Sequence, residues 1–225
     1  MSTFTRVQLN PAKRSGRKLL IDPQSMHAAV RAAFPPDLDE RAGRILWRVD
    51  SSGHDHVLYI VAPEPPETGH LIEQAGWATR PAQIADYAPL LDRLQLGQEW
   101  RFRLRANPVR SEPTSNGRGI IRPHVTAAQQ TEWLVAKAAR HGFELLTERI
   151  GEEEVPMVSV TARGDLAFNR TDRSAKSRNR VALRTAQFDG VLRVTDRQSL
   201  RDALTRGIGR AKAYGCGLLT LQRIG

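Results

Sequence analysis

The sequence predicts an α+β fold of two tandem units, each an antiparallel sheet with helices on one face. Three observations carry this. Segments such as Trp100-Arg-Phe-Arg-Leu-Arg-Ala106 alternate apolar and polar residues with the two-residue period of a half-buried strand. Between such segments lie others, such as 23–34, in which Met26, Val30 and Ala33 recur at helical spacing on one face. Read in order, the first part runs βαββαβ, the order of a ferredoxin-like (RRM-like) domain, and the second part alternates strands and helices in a similar way. We place the first domain at 1–88, a linker at 89–97 and the second domain at 98–225, a division that the length of 225 residues accommodates.

The elements follow from local chemistry. Phe4, Val7 and Leu9 with polar neighbours form a first strand ended by Asn10-Pro11. Lys13, Arg14, Arg17 and Lys18 then make a basic loop with no acid among them. Asp22-Pro23 starts a helix, an N-cap followed by proline at the first helical position, and His27 lies beside its apolar face. Segments 44–50 and 57–62 read as a hairpin through Ser51-Ser52-Gly53. His54 and His56 at its turn lack the companions a metal site needs. A proline-rich loop, a short helix at 70–75 and a strand within 77–85 complete the first half.

In the second half, the strand at 100–106 puts Trp100, Phe102 and Leu104 on one face and Arg101, Arg103 and Arg105 on the other. A row of arginine alone suits the tracking of phosphates. After a loop at 111–119, Ile120 to His124 reads as a strand paired with the preceding one, and Thr126 caps a helix that stops at Gly142. Strands are expected at 143–150 and 155–160. Segment 163–179, rich in Arg, Ser and Asn, is expected to be mobile until bound. A hairpin, 181–187 with 191–195, should turn at Phe188-Asp189-Gly190 and carry Arg180 and Arg184, with Arg178 just before it. Asp196 caps a helix leading into Gly207-Ile-Gly-Arg-Ala-Lys-Ala-Tyr-Gly-Cys-Gly217 and a last strand. Four glycines with Arg210 and Lys212 between them make either an anion cradle of converging amides or a tight turn before that strand.

Composition narrows the partners. A net charge of +10 favours a polyanion, nucleic acid before an anionic membrane surface. With 6% aromatic residues, a single-strand stacking module is disfavoured. The lone Cys216 allows no disulfide framework and no cysteine-based metal site, which fits a reducing compartment. The N-terminal segment shows neither the apolar run of a signal peptide nor a membrane span, so a soluble cytoplasmic protein is expected.

Four stretches in order, Asp22-Pro23 with Met26-His27, Phe102-Arg-Leu-Arg-Ala-Asn-Pro108, Phe188-Asp-Gly-Val-Leu192 and the glycine stretch from Gly207 to Gly217, resemble the CasE family of CRISPR-repeat endoribonucleases. The resemblance implies two ferredoxin-like domains that bind the stem-loop of a repeat RNA and cut once at the 3′ base of the stem. It implies no metal and no cofactor, a 2′,3′-cyclic phosphate and a 5′-hydroxyl as products, and a protein that stays on the guide RNA among other subunits of a Cascade-type complex. His27 aligns with the family's catalytic histidine. Such cleavage needs one proton removed from the 2′-hydroxyl and another delivered to the 5′-oxygen, work that histidine can do near neutral pH.

There is one departure. The family's tyrosine three residues before the histidine is Gln24 here, and an amide can position a group but cannot transfer a proton. The second proton-handling role is left to water, Lys18 or Lys13. Lys13, Arg14, Arg17, Lys18, Arg103, Arg105, Arg178, Arg180, Arg184, Gly207, Gly209, Arg210 and Lys212 are the expected RNA-binding residues. The alternative is a subunit that holds repeat RNA and cleaves it slowly or not at all.

Overall fold

A computed structural model describes residues 2–39, 43–113, 117, 119–171 and 178–224. The first half runs β1 (Thr3–Leu9), α1 (Arg14–Ile21), α2 (Pro23–Arg31), β2 (Leu46–Ser52), β3 (Asp55–Ala62), α3 (Gly69–Ala75) and β4 (Gln83–Asp86). Its strands form an antiparallel sheet in the order β2-β3-β1-β4. Val7, Leu9, Leu58 and Ile60 project from one face and bury Met26 and Val30 of α2 and Leu71 of α3. α4 (Ala88–Asp92) then gives the connecting segment a helical turn.

The second half contains β5 (Glu99–Ala106), β6 (Val109–Glu112), β7 (Ile120–Pro123), α5 (Ala127–Ala138), β8 (Phe143–Leu145), β9 (Thr147–Ile150), β10 (Glu153–Pro156), β11 (Val158–Thr171), β12 (Arg178–Val194), α6 (Arg197–Arg206) and β13 (Leu219–Arg223). The main sheet is ordered β11-β12-β5-β13, with β8 on the end of β12. In both sheets the first strand lies between the third and the last, so both are ferredoxin-like, as expected. Thr126 and Gln129 close a capping box at the start of α5, and Asp196 caps α6 through the Ser199 amide.

Several expectations change. The basic stretch after β1 is helical, because Gly16 lets α1 sit directly on the Asn10 carbonyl while Leu19 and Leu20 pack on the core. Charge hid that pattern. Phe188-Asp189-Gly190 is no turn but the middle of β12, a strand of 17 residues. Phe188 is wholly buried, and a Cβ at Gly190 would lie 2.5 Å from the Met157 carbonyl, so this glycine permits close passage of β11. Residues 163–171, expected to be mobile, continue β11, and 178–180 begin β12. The pair forms a long arm beyond the sheet, and 172–177 lie outside the described residues. β7 pairs with β6 and not with β5. The strand expected within 77–85 is confined to β4, while the indole of Trp77 donates to the Leu9 carbonyl.

The two sheets are joined through their helix-free faces. Arg48 of β2 is 2% exposed and uses all five of its guanidinium N–H groups. Nε and Nη2 donate to Asp50, Nη1 donates to the Arg103 and Leu218 carbonyls, and Nη2 also donates to Thr220 Oγ1. Leu46 and Val61 of the first sheet join the core of the second half. Truncating a buried, fully paired ion leaves its partners unsatisfied, so Arg48→Met should cost about 3–5 kcal/mol of stability, measured by urea unfolding.

Candidate active site and nucleic-acid interface

α2 is fixed at its start by Asp22, which accepts from the Gln24 amide at 3.0 Å and from Ser25 Oγ at 2.5 Å. Met26 and Val30 bury the helix against the sheet, which leaves the next residue, His27, half-buried on the flank. Gln24 stands one turn earlier. Its Oε1 is buried and has no hydrogen-bond partner.

The glycine stretch reaches this flank from the other half. α6 ends at Gly207 with φ of 75°, and Gly209, Ala211, Gly215 and Gly217 also take positive φ. A Cβ at Gly207 would lie 2.8 Å from Leu46, and one at Gly215 would lie 2.6 Å from Trp47. Side chains are missing where the stretch lies on β2, so the glycines close the seam between the halves. The Ile208 amide donates to the Gly217 carbonyl and the Gly217 amide to the Arg105 carbonyl. Of the two possibilities read from the sequence, the structure shows the turn, one that spans the seam.

A short 3-10 turn, Lys212–Tyr214, carries an aromatic ring to the histidine. The rings of His27 and Tyr214 are 6.2 Å apart, centroid to centroid, with planes inclined at 60°. Tyr214 also meets Phe168 of the β11 arm, with ring centroids 4.6 Å apart. Three elements distant in sequence therefore converge on His27: α2, the glycine stretch and the arm. Tyr214 and Phe168 were not legible as site residues, because no sequence spacing links them to position 27.

The expected binding residues fall into different settings. Arg14, Arg17 and Lys18 are exposed on or beside α1, which packs against α2. Arg17 donates to the Pro11 and Ala12 carbonyls. Lys13 is committed to the C-terminal end of α3, donating to the Ile72 and Glu73 carbonyls at 3.3 and 2.7 Å. Arg103 does not stand free in a row of cations. Its Nε donates to Asp189 and its Nη1 to Asp50 at 3.3 Å, within the seam. Arg105 is half-buried on the same face of β5. Arg184 pairs with Asp165 through Nε at 2.7 Å and Nη2 at 3.1 Å, and that pairing holds the Asp165 carboxyl below its ordinary range. Arg178 and Arg180 lie at the start of β12, in the arm.

Arg210 is exposed at the tip of the glycine stretch, and Lys212 is half-buried beside it. Burial, and then the charge of Arg44, pushes the Lys212 ammonium down from its ordinary value. Burial likewise lowers the His141 imidazole, followed by the charges of Lys137, Lys212 and Arg140. These neighbours were missed because they come from the end of α5. Mutually repelling cations of this kind are relieved by an anion. Cys216 is fully buried and its thiol is pushed up to about 12 by that burial, which leaves it inert. Among the described residues, no three His, Cys, Asp or Glu side chains gather as metal ligands.

Residues 4–223 match the family described as CRISPR associated protein. The chain is 29% identical to a CRISPR-associated endoribonuclease Cse3 of Thermus thermophilus, over 97% of this chain and 98% of that one. It is 28% identical to the CRISPR system Cascade subunit CasE of Escherichia coli, over 78% and 87%. Among solved structures, CRISPR endoribonuclease Cse3 bound to 19 nt RNA superposes with a TM-score of 0.78 at 28% identity, covering 98% of each chain.

The pairing of Arg103 has a consequence for acid stability. Burial alone would raise the Asp189 carboxyl, but hydrogen bonds from Arg103 and Thr161 hold it below the ordinary carboxylate range. A carboxyl lowered on folding stabilises the native state above its unfolded value, about 3.9, and that contribution disappears as pH falls through the lowered native value. Stability should therefore fall below about pH 4, and Asp189→Asn should flatten this acid limb in denaturant titrations at stepped pH.

Proposed function

The chain belongs to the CRISPR associated protein family, with CasE-type endoribonucleases among its relatives, and on that premise we propose that it processes precursor CRISPR RNA. It binds the stem-loop of the repeat and cleaves once at the 3′ base of the stem without a metal ion. The products are a 2′,3′-cyclic phosphate and a 5′-hydroxyl, and the protein remains on the guide RNA beside the other subunits of a Cascade-type complex. The carrying observation is His27, half-buried where α2, the glycine stretch and the β11 arm converge.

In this reaction the 2′-oxygen attacks the adjacent phosphorus and the 5′-oxygen leaves. His27 handles one of the two protons, a contribution of roughly 10² to 10⁴ in rate. Gln24, one turn before His27, has a positioning role only, because an amide transfers no proton. Lys13 takes no proton role, since its ammonium is held by the carbonyls at the end of α3. Exposed Arg14, Arg17 and Lys18 on one side, and Arg210 and Lys212 on the other, meet the phosphates flanking the cut.

Arg178, Arg180 and Arg184 in the arm, with Arg105, extend the binding surface, and an A-form stem is read mainly through phosphate and shape. Gly207 and Gly209 support it by keeping the stretch close to β2 and α5. Among the described residues no helix is long and apolar enough to cross a membrane, and the buried, unpaired Cys216 fits a cytoplasmic setting.

Gln24 at the tyrosine position favours one rival, a binding subunit that cleaves slowly or not at all. Incubation with a repeat stem-loop in EDTA separates the two. Wild type should cut, and His27→Ala should lose at least about 100-fold in rate with RNA affinity retained. Uncut RNA with wild type supports the rival, and a strict need for a divalent ion refutes the mechanism. Affinity for the stem should also fall steeply with salt, by several powers of ten between about 50 and 200 mM, in filter-binding or anisotropy titrations.

A further inference from the structure

In-line cleavage of a phosphodiester puts the attacking and leaving oxygens on opposite sides of phosphorus, so each needs its own proton partner. One histidine serves one of them at a time. Gln24 carries no transferable proton, and Lys13 is tied to α3. The side chain whose ring meets His27 is Tyr214, delivered from the opposite half of the molecule.

Its placement is over-determined. Tyr214 closes a 3-10 turn through its amide, which donates to the Ala211 carbonyl at 2.9 Å. The turn lies between Ala211, left-handed at φ 59° though not glycine, and Gly215 at φ 75°, whose missing Cβ lets the chain rest on Trp47. Strained backbone held this firmly is a feature of sites where one side chain must be aimed. Phe168 packs against the ring, centroid to centroid 4.6 Å. Packing alone at this seam needs a ring but no hydroxyl.

We propose that Tyr214 is the second proton-handling residue of the cleavage, the general acid for the 5′-oxygen, supplied in place of a proton donor on α2. This rests on the function proposed above. The 2′-oxygen forms a bond to phosphorus as its proton passes to the neutral imidazole of His27. The bond from phosphorus to the 5′-oxygen breaks, and that oxygen takes the phenolic proton of Tyr214. The imidazolium and phenolate left behind return to their resting forms by proton transfer from His27 to Tyr214 through water, so no co-reactant is consumed. A phenol holds its proton at neutral pH and is suited to the acid role, which leaves the base role to the histidine.

The test uses the full chain, a repeat stem-loop and single-turnover conditions in EDTA, once the cut site has been mapped. A second RNA carries sulfur in place of the bridging 5′-oxygen at that site, because a thiolate leaves without being protonated. Tyr214→Phe keeps the ring contacts with His27 and Phe168, and RNA affinity equal to wild type confirms that it is folded. The variant should be slower on the oxygen substrate by roughly 10² or more and within a few-fold of wild type on the sulfur substrate. An unchanged rate on the oxygen substrate overturns the assignment while leaving His27 in place. A deficit that persists on the sulfur substrate also overturns it, because the role is then one of packing. Failure of wild type to cut either RNA in EDTA removes the function itself, an outcome distinct from both.

Discussion

The guanidinium of Arg48 leaves the first sheet and is buried against backbone carbonyls of the second half, on Arg103 and Leu218, with Asp50 neutralising its charge. A buried charge tolerates few geometries, since each of its donors must find an acceptor. The two sheets are therefore held in one relation rather than a range of them. That relation brings the glycine stretch, at the end of the second half, onto β2 of the first. It also carries the β11 arm to α2, and everything placed around His27 follows from it.

The same seam redefines the arginines of β5. Alternation correctly put Arg101, Arg103 and Arg105 on one face and Trp100, Phe102 and Leu104 on the other. What alternation cannot convey is that this face looks at the other sheet. Arg103 spends its donors on Asp189 and Asp50, and Asp50 is shared with Arg48. A ladder of alternating charge, Arg48–Asp50–Arg103–Asp189, thus crosses from one half to the other in partly excluded water. Under the proposed function the cations that meet RNA lie elsewhere, on α1, in the arm and at the tip of the glycine stretch.

Much of the architecture was readable in the chain because it is written locally. Asp22-Pro23, Thr126 and Asp196 mark helix starts, and the period-two segments mark β1, β2, β3 and β5. The errors share a cause. Gly16 and Gly190 look like loop and turn residues, yet both permit close passage of another backbone, which only the tertiary structure reveals. The arm was misread because Arg, Ser and Asn suggest disorder, while strand pairing between 158–171 and 178–190 is a non-local property. For the candidate site, His27 and Gln24 were named from their motif, and Lys13 was named without its partner on α3. Tyr214 stood in plain view inside the glycine stretch, but proximity to His27 depends on the docking of the two halves.

That docking also bears on how such a protein can change over time. Each half is a ferredoxin-like unit, and units of this kind are ordinarily free to diverge or recombine. Here the glycines at 207 and 215 fit side chains of β2, Leu46 and Trp47, and so tie the end of one unit to an edge strand of the other. A swapped-in second unit with bulkier residues at those positions would meet Leu46 and Trp47 and strain a backbone held at positive φ, so it could not seat on β2 as this one does. The steric relation of two residues to two glycines thus couples the inheritance of the halves, independently of any group that handles a proton.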